Sequence, residues 1–154
     1  MSSRRQDLIY DVLMHVRPVT VASARVVEAT WREHRVSVGM RAVLAVLASG
    51  QRPVPEVAAH LDLTRQAVQR HVNDLLALGL VATRPNPAHR RSVLVALTDD
   101  GNQLWREQHE QELMALAPMA AGCSRADLEA TVRVLDALGA DVSARARELG
   151  VDGV

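Results

Sequence analysis

A mainly α-helical single domain with one small β-hairpin is the fold class the sequence predicts, and three observations predict it. Apolar residues recur at spacings of three and four along most of the chain. One stretch breaks that rhythm, where short apolar arms at 80–82 and 93–97 flank a loop with prolines at 85 and 87. The length, 154 residues, suits one domain with a substantial core.

The elements follow in order. Residues 4–34 carry apolar side chains at 8, 9, 12, 13, 16, 19, 22, 26 and 27, close to helical spacing, and Pro18 is expected to kink or split that helix. A second helix fits 38–48, with Gly50 just past its end. A short helix fits 53–61. Thr64 is placed to cap the next helix, which runs to Leu78 and ends at Gly79. Val68, Val72 and Leu75 share one face of it, while Arg65, Gln66, Gln69, Arg70 and Asn73 lie on others. After the hairpin, Thr98-Asp99-Asp100 starts a helix with acids suited to its dipole, running to about Leu116. Ser124 with Asp127 forms a capping-box pattern for the last helix. Its stripe of Leu128, Val132, Leu135, Leu138, Val142, Ala146 and Leu149 suits either its own core or a partner helix, and the period alone does not choose.

Composition narrows the function. Trp31, Trp105 and Tyr10 are the only aromatics, so the core must be aliphatic. No apolar run reaches the length of about 18 residues that a membrane helix needs, and no signal-peptide block opens the chain, so a soluble cytoplasmic protein without membrane contact is expected. The formal net charge is zero, but it is unevenly spread. Residues 1–62 hold eight Arg against six acids (+2), residues 63–98 five Arg against Asp74 alone (+4), and residues 99–154 five Arg against eleven acids (−6). A basic island in the middle of the chain points to an anionic partner.

Two short helices joined by a tight connection and followed by a hairpin describe a winged helix-turn-helix. A recognition helix presents polar and basic side chains to the major groove from its N-terminal turns while its apolar face docks on the preceding helix. Residues 64–73 meet both demands. Thr64, Arg65, Gln66, Gln69, Arg70 and Asn73 are the candidate DNA contacts from this helix, Arg suiting guanine and Gln adenine. Arg84, His89, Arg90 and Arg91 are the candidates from the hairpin, whose strand Val93, Val95, Leu97 is expected to pack on the domain. An arginine at such a tip can enter a narrow minor groove.

Residues 38–105, especially LTRQAVQRHVNDLLALGLV followed by ATRPNPAHRRSVLVALTDDG, resemble the MarR family of bacterial transcriptional regulators. The Gly-Leu-Val exit, the R-x-N-P wing and the Arg-Arg-Ser…Val-x-Leu-Thr-x-x-Gly return match in order and spacing. The resemblance implies one MarR-like domain over 1–154. Residues 38–98 would form the winged helix-turn-helix DNA-binding lobe. Residues 5–34 and 99–149 would be the mainly helical region that makes a homodimer. It implies a regulator, most often a repressor, that binds double-stranded DNA at a pseudo-palindromic operator. Arg91 takes the wing role, with Arg90 on phosphate, although His89 stands where the family usually has an acid. The resemblance also implies release by a small aromatic or phenolic effector, for which Met14, His15, Trp31, His34 and Met40 are the candidate lining.

Other chemistries find less support. Cys123 is alone, beside Arg125 at a helix start, and is expected to be buried or idle. His15, His34, His60, His71 and His89 are scattered, and His109 with Glu110 and Glu112 reads as a solvated helix face, so no metal and no cofactor are expected. His71 borders the packed face and is expected to be partly exposed or hydrogen-bonded. No phosphate loop, H-E-x-x-H or nucleophile elbow occurs, which argues against an enzyme. A helical adaptor that has lost DNA binding would have no use for Arg65, Arg70, Arg84, Arg90 and Arg91.

Overall fold

The computed structural model describes residues 2–89 and 91–151. Helix α1, Ser2–Trp31, is a single 30-residue helix that passes through Pro18 without splitting. One missing N–H removes one hydrogen bond, and the turns on both sides carry the ladder across it. A 3₁₀ turn at Arg32–His34 closes on Arg35 at φ 60°, so the α-helix ends before residue 34. Ser37 then caps α2, Val38–Leu47, its hydroxyl accepting from the Met40 N–H at 3.2 Å.

A two-residue strand, β1 (Arg52–Pro53), precedes α3 (Val54–Leu61) and α4 (Arg65–Ala77). The hairpin strands are β2 (Val81–Pro85) and β3 (Val93–Leu97), paired from Val81↔Leu97 to Pro85↔Val93. The expected two-stranded hairpin is in fact a three-stranded antiparallel sheet of order β1-β3-β2, because Arg52 pairs with Val95 and Pro53 with Leu94. Two residues cannot show an alternation, and a proline is tolerated only on such an edge. The packing of β3 also differs from expectation. Val95 and Leu97 are buried, but Val93 is exposed, since it pairs with Pro85 where the hairpin has left the domain.

The core lies between α2, α3, α4 and the sheet, with Trp31 of α1 closing one end. Val43, Leu44, Val57, Val68, Val72, Leu75 and Val95 have essentially no exposure, each burial stabilising the fold by about 1.5–3 kcal/mol. Thr64 caps α4 by accepting from the Ala67 N–H at 3.1 Å, and Gly79 at φ 71° ends it. These are the boundaries expected. Two glycines are set by close approach. A side chain on Gly39 of α2 would run into the His71 ring of α4, so the half-buried His71 fills a notch between these helices. A side chain on Gly101 would overlap the Leu80 carbonyl. At the same corner Thr98 donates to the Gly79 carbonyl at 2.7 Å and accepts from the Gly101 N–H at 3.0 Å, tying the wing to the next helix.

The outer helices are α5 (Asp99–Leu116) and α6 (Arg125–Glu148). Ser124 and Asp127 form the expected capping box, the Asp127 carboxylate accepting from the Ser124 N–H at 2.8 Å. No residue of α6 is buried, and its stripe residues Leu128, Val132, Leu135 and Val142 stand exposed. The exposed Leu8, Val16 and Val19 of α1 share an apolar groove with Thr131 and Leu135 of α6. Among the described residues, no helix is long and apolar enough to cross a membrane.

Candidate nucleic-acid interface and lobe junction

The docking of α4 through Val68, Val72 and Leu75 leaves Arg65, Gln66, Gln69, Arg70 and Asn73 exposed on its other sides, with Thr64 half-buried at the cap. Arg65, Gln66 and Gln69 line one wall of an open cleft whose other walls are Pro53-Val54-Pro55 and Arg91-Ser92-Val93. The recognition helix and the wing therefore meet across one concavity. Along α4, Gln69 Nε2 donates to Asn73 Oδ1 at 2.9 Å.

The wing loop is shaped by Asn86, the asparagine of the R-x-N-P motif. Buried at the loop base, it donates from Nδ2 to Ser92 Oγ at 2.9 Å, and its Oδ1 accepts from the Ala88 N–H at 3.0 Å. The His89 N–H donates to the Asn86 carbonyl, and the Ser92 N–H to the His89 carbonyl at 2.9 Å. The pairing of a side-chain amide with a turn two residues on is what makes Asn a turn former, and this was the available signal. Arg91 lines the cleft toward α4, whereas Arg84 lines the other side of the wing with Thr83 and Pro85. His89 is exposed. Arg90, the expected phosphate contact, lies outside the described residues.

Behind this face a polar cluster joins the lobes. Glu112 of α5 accepts from Trp31 Nε1 at 2.8 Å and from Arg41 Nε at 3.1 Å, with a second bond from Arg41 Nη2. Arg41 lies 5.3 Å over the Trp105 ring, and His109 stacks on the same ring at 5.1 Å. The solvated face expected for His109, Glu110 and Glu112 therefore holds for Glu110 alone. Glu112 is turned inward because its partners come from α1 and α2, far away in sequence.

Burial pushes the Glu112 carboxyl up, but the bonds from Arg41 and Trp31 and the Arg41 charge outweigh it and hold the carboxyl below its usual range. A lowered folded value means stability that is present above the ordinary carboxylate range and lost as pH falls through the folded value. Glu112→Gln is expected to cost about 1–3 kcal/mol at neutral pH. Thermal melts from pH 7 down to 3 check this, the variant losing less of its remaining stability on acidification than the parent.

Of the five residues expected to line one effector pocket, Trp31 touches His34 and shares the core with Met40, while Met14 and His15 lie farther along α1. Trp31 and Met40 are buried in the core and His34 packs edge-on to Trp31 at 6.3 Å. Met14 is exposed on α1, and His15 donates from Nδ1 to its own helix at Asp11 O, 2.7 Å away. Met40 and His15 line two separate cavities. A different groove opens between α1 and α5, lined by Val26, Val27, Leu116 and Met119, with Arg41 and Glu112 at its polar end. Cys123, expected to be buried or idle, is exposed in the α5–α6 connection.

The MarR family profile matches residues 40–92, which span α2 through the wing. Among curated proteins, the uncharacterized protein Rv2011c of Mycobacterium tuberculosis is 37% identical over 89 residues, 58% of this chain. The chain spans 62% of that relative's length. Among solved structures, the MarR family transcription regulator SP03579 is 28% identical with a TM-score of 0.78, covering 95% of this chain and 97% of its own. Reduced AbfR bound to DNA shares the fold at 17% identity and a TM-score of 0.73, over 92% and 99% of the two chains. The chain thus matches the MarR family profile across α4 and the wing, and shares its fold over nearly its whole length with a MarR family transcription regulator.

Proposed function

We propose that the protein is a homodimeric repressor that binds a pseudo-palindromic operator, with α4 in the major groove and the β2–β3 wing at the flanking minor groove. The observation that carries this reading is the cleft that brings Arg65, Gln66 and Gln69 of α4 opposite Arg91 of the wing. Arg70 and Asn73 are exposed on the same helix with Thr64 at its cap, Arg84 stands on the other side of the wing, and Arg90 and His89 complete the wing loop in sequence. Residues 5–34 and 99–149 supply the dimer contacts in this reading, since α1 and α6 leave many apolar side chains exposed among the described residues. Two half-sites would then lie about 34 Å apart, one helical turn.

Fluorescence anisotropy on the DNA upstream of its own gene tests the reading, with random duplex as control and several salt concentrations. Saturable binding that prefers the upstream DNA is expected. In Arg91→Ala, both the affinity and the dependence on salt should fall, the slope by about one counterion per lost phosphate contact. Preference retained with Arg91→Ala unchanged would retire the wing assignment alone. Absence of any preference, followed by a genome-wide selection that returns no site, would retire DNA reading altogether.

An aromatic or phenolic effector fits the groove between α1 and α5, whose apolar walls end at Arg41 and Glu112. This groove borders the expected set only through Trp31, whose indole is bonded to Glu112. A panel of aromatic acids and phenols should contain a compound that raises the melting temperature of the wild type but not of Arg41→Gln. A panel with no such compound would remove the effector from the proposal.

A further inference from the structure

We propose that Gln69 and Asn73 act together as one preassembled reader of a single adenine in each half-site. The inference rests on the DNA-binding reading above and adds to it which base these two side chains select. Both residues are exposed on α4 one turn apart, on the side away from Val68, Val72 and Leu75. Gln69 also lines the cleft shared with the wing. The two amides are already joined, Gln69 Nε2 donating to Asn73 Oδ1 at 2.9 Å. That bond uses one donor and one acceptor. It leaves Gln69 Oε1 as a free acceptor and the Asn73 Nδ2 hydrogens as free donors, and an exchange of roles between the amides would still leave one of each.

A base that matches this pair must offer a donor beside an acceptor on its major-groove edge. Adenine does so with N6–H and N7, whereas guanine shows two acceptors, cytosine a donor alone, and thymine an acceptor beside a methyl group. Gln69 Oε1 accepts from N6–H and Asn73 Nδ2 donates to N7. A single free glutamine would have to supply both groups and lose its rotamer freedom on binding; the joined pair has its geometry set beforehand. The flanking arginines, Arg65 and Arg70, carry donors only, so neither can accept from adenine N6–H.

The test is selection from a random-duplex pool with the full-length protein and with Gln69→Ala, Asn73→Ala and the double variant. Wild type should select a motif with one adenine per half-site that both single variants no longer prefer, and the double variant should lose no more than either single. In the selected duplex, 7-deazaadenine at that position removes the N7 acceptor. It should weaken wild type about tenfold, as one good base contact is worth, and leave Asn73→Ala unaffected. A wild-type motif whose base preferences survive in both variants, or a guanine–cytosine pair at the sensitive position, would overturn the paired reading while leaving the regulator intact. Failure of wild type to select any motif would overturn the DNA-binding reading and this inference with it.

Discussion

Val132→Glu is expected to leave a monomer whose affinity for a two-half-site duplex is lower by a factor of about 10²–10⁴, because the second lobe no longer binds as an intramolecular event. Val132 sits on α6 with 58% exposure, between Leu128 and Leu135 on the same stripe, and it takes no part in the core of its own chain. A helix of 24 residues without one buried side chain has little to hold it in water unless a partner covers its apolar face. Glutamate there would place a charge in the proposed interface from both subunits at once, without touching α4 or the wing. Sedimentation velocity reads the mass, and anisotropy on single and paired half-sites reads the affinity. Arg133→Ala, one position round the helix, serves as the control and should stay dimeric. A Val132→Glu protein that remains a dimer with parental affinity would exclude the α6 stripe as the interface.

Much of the fold was legible because its signals are local. Thr64, Ser124 with Asp127, and Thr98 each cap a helix through a backbone N–H three residues on, so the sequence alone reveals where α4, α5 and α6 begin. The triplet Val68, Val72, Leu75 likewise declares which face of α4 docks, and by subtraction which face is left exposed. What was missed depends on long-range partners. Glu112 beside His109 and Glu110 looks like a solvated face until Arg41 and Trp31, 71 and 81 residues away, arrive at its carboxylate. Strand β1 exists only because β3 is there to pair with it. Within one chain Met14 lies far from Trp31 for a geometric reason. Met14 and Trp31 lie on one unbroken helix, and a rise of 1.5 Å per residue separates them by about 25 Å along its axis. A helix broken at Pro18 could have folded them together; the continuous one does not.

The continuity of α1 also makes Trp31 the position with the largest expected effect on stability. It is fully buried at the end of that helix, packs on Trp105 of α5 at 6.2 Å between ring centres, and donates to Glu112. Trp31→Ala removes the packing and the donor together and should cost about 3–5 kcal/mol. That is a large share of the roughly 5–15 kcal/mol by which a domain is stable. Trp31→Phe separates the two contributions. It keeps most of the apolar contact and deletes only the N–H, so Glu112 retains Arg41 and loses about 1–2 kcal/mol of support. Denaturant titration of both variants checks the order. If Phe costs as much as Ala, the hydrogen bond to Glu112 and not the packing holds α1 to α5. If both cost less than about 1 kcal/mol, the junction is not what joins α1 and α5 to the winged helix. The expected ranking, Ala well above Phe, makes the indole the packing wedge and Glu112 the clasp. The seating of α1 and α5 on the winged helix then depends on this one contact.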